Sequence, residues 1–439
     1  MDFRPELSWE FLAPEEIEAK SVRALRNHIR HLKECSGFYL TVLEQVAPED
    51  ITDSTAISGL PLTTREQLAG QSSRFLGVGA HLVVETIFSA GTGGTPLPFI
   101  FTASDLDRIA YNQALHFHSA GVTAQDRVLL LTALDRFALD GMAQYRGVQV
   151  IGANVMRLGV GVADNEVLRR YLKFFRPTVL IGAPSVLRAA AVVCSEKNID
   201  TAGSSVTKLF CGGEALYTRT LHRNTVASTL GELWGAEVFS LYTATEIAVA
   251  YGDCSAHAGL HAHPELVYTE IVDPEGKPVP DGTVGELVAT PLGVEGVPLL
   301  RYRTGDMTFK VPGSCSCGRN SCRIGPVLGR TSQVFTCNGT EVYPLPLINA
   351  LESVEEVKDY LVILEDETGR GDSVTIHVAA PPAAMVKIGA AVHEATGVHM
   401  QMLVSNIPTI QALRKGNPRK IPILDCRQQQ RTPIAQPTT

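Results

Sequence analysis

The stretch FSAGTGGTPLPFIFT, residues 88–102, raises the first question about fold and function. Three glycines and three hydroxyl residues fall between Ser89 and Thr95, with no charged residue among them. A Walker loop needs a lysine entering a helix, but none follows here, and Pro96 and Pro98 prevent an immediate helix. Because the apolar runs VVETIF and FIFT flank the glycines, we predict a hairpin whose loop is either an anion cradle or a mobile turn.

Composition narrows the class of protein. Of the 439 residues, 45% are hydrophobic and 19% are charged, as in ordinary globular proteins, and the length predicts two or three domains. The sequence shows no apolar run of membrane-spanning length and no signal-peptide pattern, so we expect a cytoplasmic protein without a membrane partner. The net charge of −8 and the lack of a basic stripe argue against nucleic-acid binding.

The order of patterns along the chain predicts an α/β protein. Strand-like runs such as RVLLLTA and PTVLIGA alternate with helical stretches between residues 82 and 200, which indicates a large layered domain. Before it, Thr64 in LPLTTREQLAG is expected to cap a short helix. Short strands and turns at 266–312 predict a β-rich subdomain. The runs LVIL and VTIHVAA, with a helix near 383–396, predict a small α+β domain.

Three further segments carry candidate binding residues. In LYTATEIAVAYG, the hydroxyl of Thr245 beside the carboxylate of Glu246 suits a phosphate with Mg²⁺. In LLRYRTGDMTFK, Asp306 is expected at a tight turn between strands, where its carboxylate could accept two hydrogen bonds from ribose hydroxyls. In KLFCGGEAL, Gly212 and Gly213 would let a flat ring lie against the backbone. Each segment taken alone is more typical of an ordinary strand-ending turn.

Together and in this order, SAGTGGTP, GGEAL, YTATE, YRTGD and Gly329–Arg330 resemble the core motifs of the adenylate-forming superfamily, and in particular its phenylacetate–CoA ligase-like branch. The segments LPLTTREQL, PTVLIGAPSVL and CSCGR extend the resemblance over nearly the whole chain. It implies an AMP-forming acid–thiol ligase. ATP and a small carboxylic acid would give an acyl-adenylate and pyrophosphate, and the thiol of coenzyme A would then displace AMP.

The resemblance also implies roles for individual residues. Residues 89–95 would hold the β- and γ-phosphates, and 213–215 would flank adenine. Asp306 would bind ribose, with Arg330 near it at the hinge. Thr245 would bind the α-phosphate, and Glu246 would bind Mg²⁺. Lys420 would be the third catalytic residue. The implied nucleotide-binding residues are Ser89, Gly91, Thr92, Gly93, Gly94, Thr95, Gly213, Glu214, Ala215, Tyr242, Thr243, Ala244, Asp306 and Arg330.

The implied domains are an N-terminal AMP/ATP- and acid-binding domain at 1–330, a small mobile α+β lid domain at 331–428, and a disordered tail at 429–439. The chain departs from the family pattern at three places. Gly93 replaces a threonine of the loop, and Ser332 replaces an acidic residue after the hinge. The C-terminal lysine is either Lys420 or Lys415, and we favour Lys420 because Ile-Pro follows it.

Nine cysteines are present, and five of them lie between 254 and 337. Cys315 and Cys317, with Cys254 and His261, offer three thiolates and one imidazole, which suits tetrahedral zinc, while buried free thiols are the alternative. The resemblance implies a structural Zn²⁺ on these four residues. Three substitutes stay open if the geometry differs: Cys322, His257 and His263.

The segment TALDRFALDGMAQY matches the part of the family that lines the acyl pocket, which implies pocket roles for Arg136, Phe137, Leu139 and Gly141. The charges of Asp135, Arg136 and Asp140 favour an aromatic acid that bears a polar or amino group, unless they face solvent or pair with each other.

Two alternatives to a coenzyme A ligase remain at this point. One is an adenylating enzyme that loads a carrier protein or another acceptor, which the altered hinge favours. The other is a catalytically degenerate nucleotide-binding homologue, which the uncertain C-terminal lysine favours. The usual arrangement of the family implies a homodimer.

Overall fold

The computed structural model describes residues 3–89, 96–134, 139–160, 165–367, 371–414 and 422–427. The chain divides into two compact units, one made of Met1–Tyr217 and Val226–Pro326, the other of Thr218–Thr225 and Val327–Thr439. The expected domain boundary after residue 330 lies close to this change of unit. The expected tail at 429–439 lies outside the described residues.

Helices and strands alternate through most of the first unit. Its helices are α1 (Pro14–Cys35), α2 (Gly37–Val42), α3 (Ser54–Ser58), α4 (Arg65–Gln71), α5 (Ala103–Ser119), α6 (Leu139–Ile151), α7 (Asn165–Arg170), α8 (Pro184–Glu196) and α9 (Thr225–Trp234). Its strands are β1 (Glu85–Phe88), β2 (Pro98–Phe101), β3 (Arg127–Leu131), β4 (Asn154–Arg157), β5 (Val179–Gly182), β6 (Lys208–Gly212), β7 (Glu237–Ala244), β8 (Val249–Gly252), β9 (Leu260–His261), β10 (Val267–Val272), β11 (Gly285–Pro291), β12 (Tyr302–Thr308) and β13 (Arg323–Ile324). Within the described ranges, no helix has the length and apolar character that a membrane span requires.

An eight-stranded sheet forms the centre of this unit, in the order β13-β9-β8-β7-β6-β5-β3-β4. The five strands from β7 to β4 run parallel, and β8, β9 and β13 continue the sheet in antiparallel fashion. The strands β3, β5 and β6 are short apolar runs that are almost wholly buried, as expected for strands covered on both faces. On one face Phe117 of α5 packs edge-on against Phe210, and on the other Trp234 of α9 packs near Leu187 of α8. The predicted α/β layering is confirmed.

The glycine-rich stretch SAGTGGTP connects two paired strands. β1 and β2 form an antiparallel pair in which Glu85 lies opposite Phe101 and Phe88 lies opposite Pro98. The predicted hairpin is therefore confirmed for its strands, while residues 90–95 of the connecting loop lie outside the described residues.

The predicted β-rich subdomain consists of β10, β11 and β12 in antiparallel order. The turn segment DPEGKPVPDG connects the first two strands, in agreement with its Gly and Pro content. Between β11 and β12 the register shifts, because Glu286 pairs with Met307 but Val288 pairs with Arg303. The extra residues on β12 form a bulge that contains Gly305 at φ +76°.

A buried arginine at the start of this bulged strand connects three parts of the unit. Arg301 is 1% exposed, and its guanidinium donates twice to the Glu270 carboxylate, both bonds at 3.0 Å. Its remaining N–H groups donate to the carbonyls of Ser58 (2.8 Å), Leu60 (2.6 Å) and Gly276 (2.8 Å). All five donors of the side chain are therefore satisfied, which is what a buried guanidinium requires.

Replacing Arg301 by methionine leaves Glu270 as an uncompensated buried charge. We predict that R301M lowers the free energy of unfolding of the first unit by about 3–5 kcal/mol, measured by urea denaturation. The control is R30M, which removes the exposed pair that Arg30 forms with Glu49 at 2.7 Å and should change the unfolding midpoint little. Equal effects of the two substitutions would contradict the role given to Arg301.

The second unit is a small α+β structure of its own. Its strands are β14 (Gly329–Arg330), β15 (Phe335–Cys337), β16 (Thr340–Val342), β17 (Asp359–Glu367), β18 (Gly371–Ala379), β19 (Gln401–Val404) and β20 (Ile423–Asp425), and its helices are α10 (Pro344–Glu352), α11 (Met385–Thr396) and α12 (Ile407–Arg414). The order β19-β18-β17-β20 places the long antiparallel pair at the centre. α11 matches the helix predicted near 383–396 and ends at Gly397 in the left-handed conformation. The mobility expected of this unit stays a prediction.

Candidate active site

The site begins at the segment TTR, residues 63–65. The backbone of Thr63 bridges β12, because its N–H donates to Arg301 at 3.1 Å and its carbonyl accepts from Arg303 at 2.9 Å. Thr64 then forms a capping box with Gln67, as predicted, and so starts α4. Arg65 is the first residue of that helix, and its direction is fixed by the bridge and the cap together.

Arg65 joins two residues that the sequence motifs had indicated separately. Its guanidinium donates to the Glu246 carboxylate at 2.8 Å and lies 3.4 Å from the Ser89 hydroxyl. The Arg65 side chain is 28% exposed and that of Glu246 17%, so the pair is partly open to solvent. Arg65 was not among the residues predicted from single motifs, although it lies within LPLTTREQL, a segment that carries the family resemblance.

The turn after β7 presents Thr245 and Glu246. β7 reverses directly into β8, with Ala244 opposite Val249, and Thr245–Ile247 form the tight 3-10 turn between them. Ala248 completes the turn in the left-handed region at φ +49°. The turn lies at the carboxyl edge of the parallel strands, where open α/β sheets bind their ligands.

Asp306 lies beside the same strand. Its carboxylate accepts a hydrogen bond of 2.7 Å from the hydroxyl of Tyr242, and its backbone N–H donates to Thr304 Oγ1 at 3.1 Å. Burial and then the Asp306 carboxylate raise the pKa of Tyr242 well above its ordinary value, so the phenol keeps the proton that it donates. The expected position at a turn between strands was wrong, since Asp306 lies within β12 at the bulge.

The glycines of GGEAL follow β6 at the same carboxyl edge. Gly213 has φ +83°, and a Cβ there would meet nothing within 4 Å, so the backbone is open on that side. Glu214 accepts from the Ser185 hydroxyl at 2.5 Å, which connects this loop to the start of α8. The accessible backbone at 213–215 is compatible with a flat ring lying against it.

The remaining predicted residues divide by location. Leu139 and Gly141 lie buried at the start of α6, and a Cβ on Gly141 would lie 1.9 Å from the Ala133 carbonyl oxygen, so this glycine serves close packing. Arg330 belongs to the second unit, where its backbone N–H donates to Gln333 at 3.2 Å. The residues outside the described ranges are Gly91, Thr92, Gly93, Gly94, Thr95, Arg136, Phe137, Lys415 and Lys420.

A second cluster brings together Cys254, His261, Cys315 and Cys317, whose ligand atoms all lie within 4.8 Å of one another. The Sγ atoms of Cys254 and Cys315 are 3.8 Å apart, and Cys317 Sγ lies 3.5 Å from His261 Nε2. The other ring nitrogen of His261 is 2.9 Å from the Ser321 hydroxyl, a contact that fixes the ring as metal-binding histidines require.

The three substitute ligands lie outside this cluster and have other partners. His257 contacts Asp253 and Tyr217, both at 2.9 Å. His263 lies 3.2 Å from Glu10 and 3.2 Å from His116. The sulfur of Cys322 faces the Arg323 carbonyl at 3.9 Å. The sequence left these alternatives open, and the side-chain geometry favours the first set.

Comparisons with known proteins show which enzymes the chain is similar to. A family model described as AMP-binding enzyme matches residues 81–294. The phenylacetate–coenzyme A ligase of Thermus thermophilus is 28% identical over 397 residues, covering 89% of this chain and 86% of that protein. The phenylacetate–coenzyme A ligase of Pseudomonas putida is 26% identical over 377 residues, covering 82% of this chain and 83% of that protein.

Solved structures share the fold. A 2-hydroxyisobutyryl-CoA ligase in its postadenylation state gives a TM-score of 0.83 at 18% identity, over 95% of this chain and 91% of that one. An anthranilate CoA ligase with anthranoyl-AMP gives 0.56 at 19% identity, over 74% and 64%. Residues 81–294 thus match the AMP-binding enzyme family. The chain as a whole is similar to phenylacetate–coenzyme A ligases, which is the resemblance that its motifs carry.

The hydrogen bond between Tyr242 and Asp306 can be tested by removing one oxygen. We predict that Y242F lowers the free energy of unfolding by about 1.5–3 kcal/mol, because a nearly buried carboxylate loses its phenol donor. The matched control is Y251F. The Tyr251 hydroxyl contacts the neutral Thr269 hydroxyl at 2.9 Å, and its loss should cost about 0.5–1.5 kcal/mol. Urea denaturation measures both, and a smaller loss in Y242F than in Y251F would contradict the prediction.

Proposed function

We propose that the protein is an AMP-forming ligase that joins a small carboxylic acid to coenzyme A. In the first step a carboxylate oxygen of the acid attacks the α-phosphorus of ATP, and the bond from that phosphorus to pyrophosphate breaks. In the second step the sulfur of coenzyme A attacks the acyl carbon of the adenylate. The bond to AMP then breaks, and the thiol proton passes to water.

The observation that carries this proposal is the cluster of Arg65, Ser89 and Glu246 beside the Tyr242–Asp306 pair. The cluster combines a guanidinium, hydroxyls and a carboxylate at the edge of a parallel sheet, which is the set of groups that a nucleotide triphosphate and its cation need. We assign the polyphosphate to Ser89, the loop 91–95 and Arg65, and the ribose to Asp306. Glu246 would hold Mg²⁺, which when bound neutralises phosphate charge.

The choice of acceptor rests on the relatives. The phenylacetate–coenzyme A ligases match most of this chain and most of their own length, which favours coenzyme A over a carrier protein. The retained pairs of Glu246 and Asp306 argue against a degenerate homologue. Four expectations from the sequence stay predictions: the roles of Arg330 and Lys420, the homodimer and the cytoplasmic location.

Formation of products tests the function directly. We expect the purified protein, with ATP, Mg²⁺, coenzyme A and a panel of aromatic and short aliphatic acids, to release AMP and acyl-CoA in equal amounts, measured by mass spectrometry. E246Q should lower kcat by roughly 10²–10³, because the cation and Arg65 lose a charged partner.

The control for this substitution is E49Q, which also breaks an arginine–glutamate pair but on the surface, at Arg30. It should leave the rate unchanged. Absence of acyl-CoA with every acid, or equal rates in E246Q and the native protein, would contradict the proposed function.

We further propose that Cys254, His261, Cys315 and Cys317 hold a structural zinc ion. Three thiols and one imidazole within 4.8 Å of one another are the ligand types and the number that a closed tetrahedral zinc site uses. Since all four positions come from protein, the ion would have no open position for a reactant. Its role would be to join the loop that carries Cys315 and Cys317 to the strand that carries His261.

We predict about one zinc ion per chain by plasma mass spectrometry of protein purified without chelator. The double variant C315S/C317S should lose the metal and melt at a lower temperature, because two of the four ligands are removed. C322S changes a nearby cysteine outside the cluster and should keep the metal. Equal zinc content in the double variant and in C322S would contradict the site.

A further inference from the structure

Helix α5 buries a row of polar side chains. Asp105, Arg108, Asn112 and His116 are each at most 8% exposed, and their spacing of three or four residues places them on one side of the helix. Buried polar groups need hydrogen-bond partners. For three of these side chains the partners are main-chain groups of β8 and of the turn before it, which is the turn that presents Thr245 and Glu246.

The main chain of β8 is matched to this row of side chains. The N–H of Ala250 donates to Asn112 Oδ1 at 2.7 Å, and the Ala250 carbonyl lies 2.8 Å from His116 Nε2. Two residues earlier, the Ala248 carbonyl accepts from Arg108 Nη1 at 2.8 Å. Two residues of a strand and four residues of a helix both span about 6–7 Å, so the row on α5 and the groups on the main chain agree in spacing.

Arg108 also connects this turn with the sheet that carries Asp306. Besides Ala248, its guanidinium donates to the carbonyl of Leu292 at 2.7 Å and to that of Leu266. Leu266 comes directly before β10, and Leu292 comes directly after β11. β12, which carries Asp306, pairs with β11. One buried side chain is therefore bonded to both parts of the unit from which the nucleotide site is proposed to be built.

The Arg108 guanidinium keeps its charge in this environment. Burial lowers the pKa of Arg108 to about 10, and the carboxylate of Asp105, one turn earlier on α5, acts in the opposite direction. The side chain is therefore protonated at neutral pH. Its N–H groups remain hydrogen-bond donors, as the three carbonyls require.

The turn that Arg108 contacts has a conformation that needs support. Ala248 has φ +49°, in the left-handed region that residues other than glycine seldom adopt and that persists where neighbouring contacts hold it. Thr245 and Glu246 lie in the same turn, three and two residues before Ala248. Loss of the bond from Arg108 would leave the buried Ala248 carbonyl without this donor, so the turn would relax and both side chains would move.

We propose that Arg108 is a positioning residue that holds Thr245 and Glu246 in place relative to the ribose site. The inference rests on the proposed function and adds to it a residue that acts without touching the substrate. The α-phosphate and the cation are assigned to the turn, and the ribose is assigned to Asp306. Only a ligand that spans both places depends on their relative position. Adenosine, which has no phosphate, does not span them.

The test compares the binding of adenosine with that of ATP and Mg²⁺, each by isothermal titration calorimetry. We expect R108M to weaken the binding of Mg²⁺–ATP roughly 10-fold or more, because contacts behind a metal ligand typically contribute about 10–100-fold to metal affinity. The affinity for adenosine should change little. A general loss of folded protein would alter both titrations alike. R108K keeps the charge and an ammonium donor, so it should recover part of the lost affinity.

The matched control is R323M. Arg323 is also buried and also donates to three main-chain carbonyls, but it lies on β13, at the edge of the eight-stranded sheet. This variant should bind Mg²⁺–ATP as tightly as the native protein. If R108M does not fold, N112L takes its place, because it removes both hydrogen bonds between the Asn112 amide and Ala250. It should weaken Mg²⁺–ATP binding in preference to adenosine binding.

Three results would overturn the inference: unchanged affinity for Mg²⁺–ATP in the α5 variant, equal losses for Mg²⁺–ATP and adenosine, or an equal loss of Mg²⁺–ATP affinity in R323M. The ligase function would stand in each case, because it is measured separately by the formation of acyl-CoA. Absence of Mg²⁺–ATP binding by the native protein would instead contradict the proposed function, and the inference with it.

Discussion

The buried guanidinium of Arg301 is the constraint on which the site of this protein depends. Its five hydrogen bonds join the loop at Ser58–Leu60, strand β10 through Glu270, and the turn at Gly276. A buried charge with any donor unsatisfied would be costly, so the five hydrogen bonds favour this arrangement of the segments. The backbone of Arg301 then accepts from Thr63, and through Thr63 it fixes where α4 and Arg65 begin.

The contacts of Arg301 help to position polar and charged side chains of the site without a ligand. Arg65 donates to Glu246, and Tyr242 donates to Asp306, although each pair comes from distant parts of the chain. Groups held in place by protein contacts need little reorganisation when phosphate charge develops, which is how such sites lower a barrier. The cysteine–histidine cluster, for which we propose a structural zinc ion, lies at another place in the same unit.

Rules based on neighbouring residues predicted the helices and strands better than they predicted the contacts between distant residues. The Thr64 cap, the strands of the β1–β2 hairpin and the alternation of apolar strands with helices follow from neighbouring residues, and all three were confirmed. Arg65 was missed because an arginine after a helix cap is ordinary, and its partner lies 181 residues away. The bulge at Asp306 was taken for a turn because glycine before aspartate is typical of both. Among several cysteines and histidines, spacing alone could not choose the metal ligands, since the choice depends on how β9 and the loop at 315–317 fold together.

We propose that the motif residues held by the contacts of Arg301 activate a carboxylic acid with ATP. Carboxylate-dependent exchange of labelled pyrophosphate into ATP, measured without coenzyme A, tests that step alone. We expect exchange that requires one class of acid, requires Mg²⁺ and is lost in E246Q. No exchange with any acid, in a protein that still binds ATP, would contradict it and would indicate a nucleotide-binding protein without ligase activity.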